Sequence, residues 1–166
     1  MTDSIQTLSE LSREVAVLFQ GEEKPTSIQL LTPLIKQYKG QDWQKYVCFS
    51  DDCYTRNYVY RDEDFEILVL CWQPGQGSPI HNHADRGCVL KVLGGELLET
   101  RYFSEENIRE TSLQLNQITY IDNHIGLHKI ENRSQVNTIS LHIYSPGYFI
   151  PQIGDCVEDF GLIPTL

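Results

Sequence analysis

The stretch GSPIHNHADRGC, residues 77–88, holds two of the chain's five histidines and one of its five cysteines. His81 and His83 lie one residue apart shortly after a glycine turn, and Cys88 follows five residues later. Residues two apart in a β-strand point to the same side, with their backbones roughly 7 Å apart. The two imidazoles could therefore meet at one ion. The pattern alone also fits a pair of histidines in a polar surface loop.

Length and composition limit what the protein can be. With 166 residues, 40% of them apolar, the chain is long enough for one hydrophobic core, and we predict a single domain spanning residues 1–166. The net charge of −10 argues against a nucleic-acid partner, because phosphates would be repelled. No apolar run of membrane-spanning length is present, so we expect no membrane insertion and a cytoplasmic location. The odd number of cysteines, without a C-x-x-C pair, argues against a disulfide framework.

The first third of the chain, about residues 1–45, carries a helical pattern. Apolar residues recur at every third or fourth position from Ile5 to Phe19, which predicts one amphipathic helix. A second helix is predicted to begin at Thr32, whose hydroxyl would cap it, and to end at Gly40.

Short strands are predicted from about residue 54 to residue 150. Runs rich in Val, Ile, Leu, Thr and Tyr are separated by Gly, Pro, Asn and Asp clusters. No helical pattern lies between these runs to make crossovers, so an all-β barrel or sandwich is favoured over an α/β fold. The dipeptide Gly94-Gly95 is predicted to form a hairpin turn. The runs are FEILVLCW, CVLKVL, ELLETRYF, SLQLNQITYI and TISLHIY.

The spacing around the histidine pair resembles the first motif of the cupin barrels. It runs Gly75, five residues, His81-Asn82-His83, four residues, Cys88, six residues, Gly95. A looser second motif begins at His128, with Asn132 four residues later. The fold implied is mainly β: a small cupin-type β-barrel (jelly roll) with N-terminal α-helices, its metal-binding barrel spanning about residues 54–150.

Cys88 is a departure from the usual cupin motif, which has glutamate at this position. Without that carboxylate the ligands would be three neutral imidazoles, those of His81, His83 and His128. A divalent ion held in this way keeps its full charge, favours an anionic ligand and leaves positions open for a substrate and O₂. Three histidines alone do not exclude zinc.

The run SLHIYSP, residues 140–146, alternates polar and apolar side chains. Ser140, His142 and Tyr144 would share one face of a strand. On an inner barrel wall, hydrogen bonds along this row would fix the direction of the Tyr144 hydroxyl. A half-exposed strand with its polar side in water is the alternative.

Together these motifs resemble the cysteine dioxygenase family, cupins that oxidise L-cysteine with O₂ to cysteine sulfinic acid. The motifs are YTRN at 54–57, CW at 71–72, the histidine motif from Gly75, Cys88, IGLH at 125–128 and SLHIYSP. The resemblance implies Fe(II) on the three histidines, with cysteine bound to it through sulfur and amine. It pairs the substrate carboxylate with Arg56, makes Tyr54 a further substrate contact, and has His142 hold Tyr144.

The resemblance also assigns a role to the cysteine of the motif. In animal members of the family the matching cysteine forms a thioether with the matching tyrosine, which implies a cross-link between Cys88 and Tyr144. Such a bond would hold the phenol close to the substrate. The alternative is that Cys88 is a buried apolar filler.

Two other functions stay open. One is a dioxygenase for another small thiol such as 3-mercaptopropionate. Members with that preference typically have glutamine where Arg56 stands, so YTRN favours cysteine. The other is a non-catalytic cupin that binds a metal or ligand, since fold alone does not fix function. We expect a monomer whose partners are L-cysteine and O₂, without nucleic acid or membrane.

Overall fold

A computed structural model describes residues 4–154 of the chain. The C-terminal tail EDFGLIPTL, expected to be loosely attached, and Cys156 lie outside the described residues. None of the helices within residues 4–154 is long and apolar enough to cross a membrane. The helices are α1 (Leu8–Val17) and α2 (Thr32–Gln37), with 3-10 turns at Ile28–Leu31 and Asp42–Tyr46. The strands are β1 (Thr55–Arg61), β2 (Glu66–Trp72), β3 (Ile80–His81), β4 (Cys88–Gly94), β5 (Leu97–Tyr102), β6 (Ile108–Leu113), β7 (Ile118–Ile121), β8 (Leu127–Glu131), β9 (Thr138–Tyr144) and β10 (Ile153–Gly154).

The described strands form two five-stranded antiparallel sheets that face each other. The first has the order β1-β2-β9-β4-β7 and the second the order β10-β3-β8-β5-β6. The predicted fold class, a mainly β barrel preceded by helices, is confirmed. The division into one domain over residues 1–166 stays a prediction.

Strand β2 is buried on both faces and shows where the two parts of the core lie. Ile67 and Val69 pack with the N-terminal helices in one hydrophobic cluster, whereas Leu68 and Leu70 pack inside the barrel in another. Alternate residues of a strand point to opposite sides, so β2 separates the two clusters. Every one of its residues is buried, which explains why FEILVLCW reads as a nearly continuous apolar run.

Helix α1 begins with a capping box. The Thr7 hydroxyl accepts from the Glu10 backbone N–H, and the Glu10 carboxylate accepts from the Thr7 N–H. Two otherwise unpaired amides are thereby satisfied. The helix buries Leu8, Leu11 and Val15 against the barrel.

The predicted cap of the second helix is wrong. Thr32 is the first residue of α2 and has helical dihedral angles, and the hydroxyl donates instead to the carbonyl of Gln29. A 3-10 turn precedes α2 directly, so the chain is already wound at that point. The cap of this 3-10 turn is Ser27, whose side chain accepts from the Gln29 N–H.

The predicted hairpin at Gly94-Gly95 is also wrong. Strands β4 and β5 lie in different sheets, and β4 pairs with β7 and β9. Gly95, with φ +75°, turns the chain from one sheet into the other. The run SLQLNQITYI is likewise not one strand, because it contains the end of β6, a turn with Asn116 at φ 66°, and β7.

Candidate active site

Three buried histidines meet between the two sheets. His81 ends β3 and lies directly opposite His128 of β8 in the strand pairing. His83 follows β3 in a loop, so the expected strand stops short of it, yet its ring still turns towards the other two. One ligand atom from each of the three residues lies within 4.8 Å of the others.

In two of the imidazoles, a hydrogen bond at Nδ1 fixes the tautomer. His81 Nδ1 lies 2.9 Å from the carbonyl oxygen of Pro79, and His128 Nδ1 lies 2.8 Å from Glu99 Oε1. Both partners are acceptors, so each Nδ1 carries the hydrogen and each Nε2 carries a lone pair. These two Nε2 atoms face each other at 3.2 Å.

The third imidazole has no hydrogen-bond partner on either nitrogen among the described residues. Its backbone is nevertheless held firmly, because Asn123 Oδ1 accepts from the His83 N–H and Asn123 Nδ2 donates to the His83 carbonyl, both at 2.8 Å. A buried and unpaired imidazole is costly. A metal ion at the centre of the cluster would satisfy it.

The electrostatics of the cluster fit a cation ligated by neutral imidazoles. Burial lowers the pKa of His81 to about 4 and lowers those of His83 and His128 well below their ordinary value. Lone pairs of neutral rings that face one another repel unless a cation lies between them. The residues present therefore fit a divalent metal, and the cluster is a metal site.

No carboxylate joins the three histidines in the cluster formed by the described residues. Glu99 of β5, which is 2% exposed, contacts His128 on the side away from the other two rings. Its second oxygen forms an ion pair with Arg101, whose Nε lies 3.1 Å away, and accepts a hydrogen bond from the Thr119 hydroxyl at 3.0 Å. Glu99 is therefore an outer partner that orients a ligand.

A hydrogen-bonded polar row lines the opposite wall, on β9. Trp72 Nε1 donates to Ser140 Oγ at 2.9 Å, and Ser140 Oγ lies 2.8 Å from His142 Nε2. His142 Nδ1 lies 3.1 Å from the Tyr144 hydroxyl oxygen. The predicted row is thus present and buried. Leu141 and Ile143 point the other way, into the cluster with the helices.

Cys88 and Tyr144 are direct neighbours across β4 and β9. The Cys88 sulfur is buried and lies 3.9 Å from His142 Nδ1. Burial raises the pKa of the Cys88 thiol to about 12 and that of the Tyr144 phenol well above its ordinary value. Both groups are therefore protonated at neutral pH, and each has a hydrogen to donate.

Arg56 and Tyr54 complete this wall. The Arg56 guanidinium carbon lies 5.2 Å from the centre of the Tyr144 ring, and the side chain is 24% exposed. Burial opposes its charge, but Tyr144, Tyr54 and other neighbours raise the pKa of Arg56 above its ordinary value. Tyr54 stacks on Trp72 at 4.3 Å between ring centres.

Of the residues that the sequence assigned to the site, the structure places His81 and His128 on one sheet and His83 in the loop after β3, and it places the polar row, Cys88 and Arg56 on the other sheet. It adds two buried acids that sequence reasoning missed, Glu99 and Glu66. Glu66 begins a strand that is otherwise apolar and buried throughout, and Glu99 shares its strand face with the buried Leu97. That position was the available clue, because an acid among buried residues needs a specific partner.

The comparisons with known proteins identify the family of the chain. The family model described as "Cysteine dioxygenase type I" matches residues 1–154. The chain belongs to the cysteine dioxygenase type I family. It is 38% identical to cysteine dioxygenase type 1 of Rattus norvegicus over 154 residues, covering 86% of this chain and 76% of that protein. The identity to the Homo sapiens enzyme is 36% over the same shares of the two chains.

Solved structures support the fold independently. A double-stranded β-helix protein from Klebsiella pneumoniae matches with a TM-score of 0.59 at 20% identity, covering 68% of this chain and 94% of that one. An oxalate oxidase in complex with glycolate matches with a TM-score of 0.54 at 14% identity, covering 63% of this chain and 56% of that one. At these identities the likeness concerns the barrel alone. Membership in the cysteine dioxygenase family marks the protein as an enzyme of the dioxygenase class.

Proposed function

We propose that the protein is a cysteine dioxygenase that uses Fe(II) to oxidise L-cysteine with O₂ to L-cysteine sulfinic acid. The observation that carries the proposal is a buried three-histidine site facing Arg56 and Tyr144 in a member of the cysteine dioxygenase family. His81, His83 and His128 would hold the iron. A ferrous ion bound there supplies redox chemistry towards O₂ and a positive charge that favours the thiolate form of a coordinated thiol.

Arg56 is suited to fix the substrate by its carboxylate. A guanidinium offers parallel N–H groups that match the two oxygens of a carboxylate, and such charge-assisted pairs are stronger than neutral hydrogen bonds. The guanidinium donates no hydrogen bond to any described residue, so its donors are available to a ligand. A substrate held there has its thiol directed towards the histidines.

Tyr144 is suited to donate a hydrogen bond to the bound substrate. Trp72 can only donate, so Ser140 can give its own hydrogen to His142 Nε2. The Nδ1 hydrogen of His142 then points at the Tyr144 oxygen, which leaves the phenol hydrogen free for the substrate. His142 positions the phenol, and Trp72, which stacks on Tyr54, lies beside His142.

We also infer that Cys88 and Tyr144 become joined by a thioether. The bond would link Cys88 Sγ to a ring carbon of Tyr144, with loss of the thiol hydrogen and one ring hydrogen. O₂ would accept the two electrons that leave with them. The support for this step is the direct pairing of the two residues across β4 and β9.

The experiment that tests the function measures O₂ uptake and sulfinate formation by protein loaded with iron, and separately with zinc, in the presence of L-cysteine. We expect stoichiometric uptake with iron and none with zinc. The variant Arg56→Ala should raise KM for cysteine by about 10- to 100-fold, because a charge-assisted pair is lost. A protein that binds iron and cysteine but consumes no O₂ would be a binding cupin. Faster turnover of 3-mercaptopropionate than of cysteine would favour the other thiol dioxygenase.

A further inference from the structure

The described structure contains one buried carboxylate that neither the metal site nor the proposed reaction uses. Glu66 is the first residue of β2, and its side chain is 0% exposed. It shares the inner face of the strand with Leu68 and lies directly opposite Tyr144 of β9 in the pairing. An acidic side chain is therefore built into the wall of the pocket.

The two oxygens of Glu66 have different surroundings. Oε2 accepts from Arg61 Nε at 2.8 Å and from the Tyr148 N–H at 3.1 Å. Oε1 has no hydrogen-bond partner among residues 4–154, and a terminal nitrogen of Arg56 lies 3.9 Å from it. That distance is within ion-pair range and beyond a hydrogen bond.

An unsatisfied acceptor thus faces an unsatisfied donor. Arg56 gives no hydrogen bond to a described residue, and Glu66 Oε1 receives none. A shift of about 1 Å would bring the two to hydrogen-bonding distance, whereas a carboxylate ligand would draw the guanidinium the other way. The negative charge of Glu66 would also repel a ligand carboxylate inside the poorly screened pocket.

We propose that Glu66 is the internal counter-ion of Arg56 and sets how tightly the pocket binds the carboxylate of its substrate. This inference rests on the proposed function, in which Arg56 binds that carboxylate. Arg61 competes with Arg56 for Glu66, because it pairs with the other carboxylate oxygen and offsets part of the negative charge. Glu66 is on this account a specificity-determining residue: it weakens binding of thiols that carry a carboxylate and leaves those without one unaffected.

The test compares two ligands that differ only in the carboxylate. Binding of L-cysteine and of cysteamine to the iron-loaded protein is measured by calorimetry without O₂. Glu66→Gln should lower the Kd of cysteine by about three- to tenfold, because a nearby negative charge is removed, and should leave that of cysteamine unchanged. Glu110→Gln, at a residue of β6 whose side chain is 52% exposed, is the control for the change in net charge.

A second variant predicts the opposite change. Arg61→Met removes the partner of Oε2 at a side chain that is 32% exposed, so Glu66 should pair more closely with Arg56 and the Kd of cysteine should rise relative to that of cysteamine. This variant decides the matter if Glu66→Gln does not fold. A ratio of the two affinities that stays constant, or that moves in the reverse direction, overturns the proposal. Aerobic turnover by the wild-type protein tests the proposed function separately, since these binding measurements need no reaction.

Discussion

At the scale of single residues, the outer partner of His128 makes a prediction about the metal. Glu99 accepts the Nδ1 hydrogen of His128 at 2.8 Å and is itself held by Arg101 and Thr119. The negative charge of Glu99 makes the imidazole of His128 more basic, so that its Nε2 lone pair binds a metal ion more strongly. None of the three metal-binding side chains carries a negative charge. The carboxylate of Glu99 acts on the site through its hydrogen bond to His128.

Glu99→Gln should weaken metal binding by about tenfold or more, because the hydrogen bond can persist but the charge is lost. The measurement is competition for Fe(II) and for Zn(II) against a chelator of known affinity. Glu110→Gln, on the exposed face of β6, should leave both affinities unchanged. Equal affinities in the Glu99 variant and the wild-type protein would remove Glu99 from the metal site.

The cross-link makes a second prediction at this scale. After aerobic turnover with iron and cysteine, mass spectrometry of digested, denatured protein should show a peptide joining Cys88 to Tyr144, lighter than its two parts by a pair of hydrogen atoms. Cys88→Ser keeps the size of the side chain and should lack this peptide. Unlinked peptides alone in the wild-type digest would leave Cys88 as a buried apolar side chain.

The residues of the site differ in how far the sequence could reveal them. His81, His83, Cys88 and His128 stand at spacings that can be read along the chain. The contacts of Glu99 and Glu66 could not be read in this way, because each depends on which strand lies beside which. Glu99 lies 29 residues before His128, and no local pattern indicates that distance.

At the scale of elements, the apolar runs predicted strands β2, β4, β5 and β9 but not which strands pair with one another. TISLHIY and FEILVLCW are β9 and β2 as expected. Two glycines between two strands suggested a hairpin, yet a corner between sheets needs the same left-handed backbone as a tight turn. A hairpin and a corner between sheets differ in whether the two strands pair with each other. Here β4 pairs with β9 and β7 and not with β5.

The glycine corner gives a matched pair of variants. A Cβ on Gly95 would lie 2.2 Å from the Thr138 hydroxyl oxygen, at a φ of +75° that side chains rarely adopt. Gly95→Ala should therefore lower the free energy of unfolding by about 2 kcal/mol or more. Gly94→Ala, whose Cβ would meet only Ile139 at 3.5 Å, should cost less. Chemical denaturation measures both, and equal losses would contradict the role of Gly95 as the corner.

At the scale of the whole molecule, a buried lysine joins the helical segment to the barrel. Lys91 of β4 is 1% exposed and donates to the carbonyls of Ile35 and Tyr38, at 3.2 and 2.6 Å, at the end of α2. Burial and the nearby Lys39 lower the pKa of Lys91 from 10.5 to about 8. The sequence could not predict this contact, since a lysine in the run CVLKVL suggests an outward, solvated position.

The lowered pKa predicts how stability changes with pH. Between about pH 8 and 10.5 the unfolded chain holds the Lys91 proton while the folded protein has released it. Stability rises with pH where the unfolded state binds more protons. The difference in unfolding free energy between wild type and Lys91→Met should therefore move in favour of wild type as the pH rises through this window.

Urea denaturation at a series of pH values measures this difference. Lys129→Met, at a side chain that is 27% exposed and paired with Glu131, provides the comparison and should show a smaller dependence. A difference for Lys91→Met that does not vary with pH would mean that the buried amine keeps its ordinary affinity for protons.

Strand β9 connects two parts of the molecule, because one of its faces lines the site and the other packs against the helices. On one side it carries Ser140, His142 and Tyr144, and on the other it carries Leu141 and Ile143, which rest against the helical layer. Loosening of α1 or α2 would thus be transmitted, through a single extended segment, to the phenol that faces the histidines. Thermal inactivation should set in with the detachment of the helices, before the barrel itself comes apart.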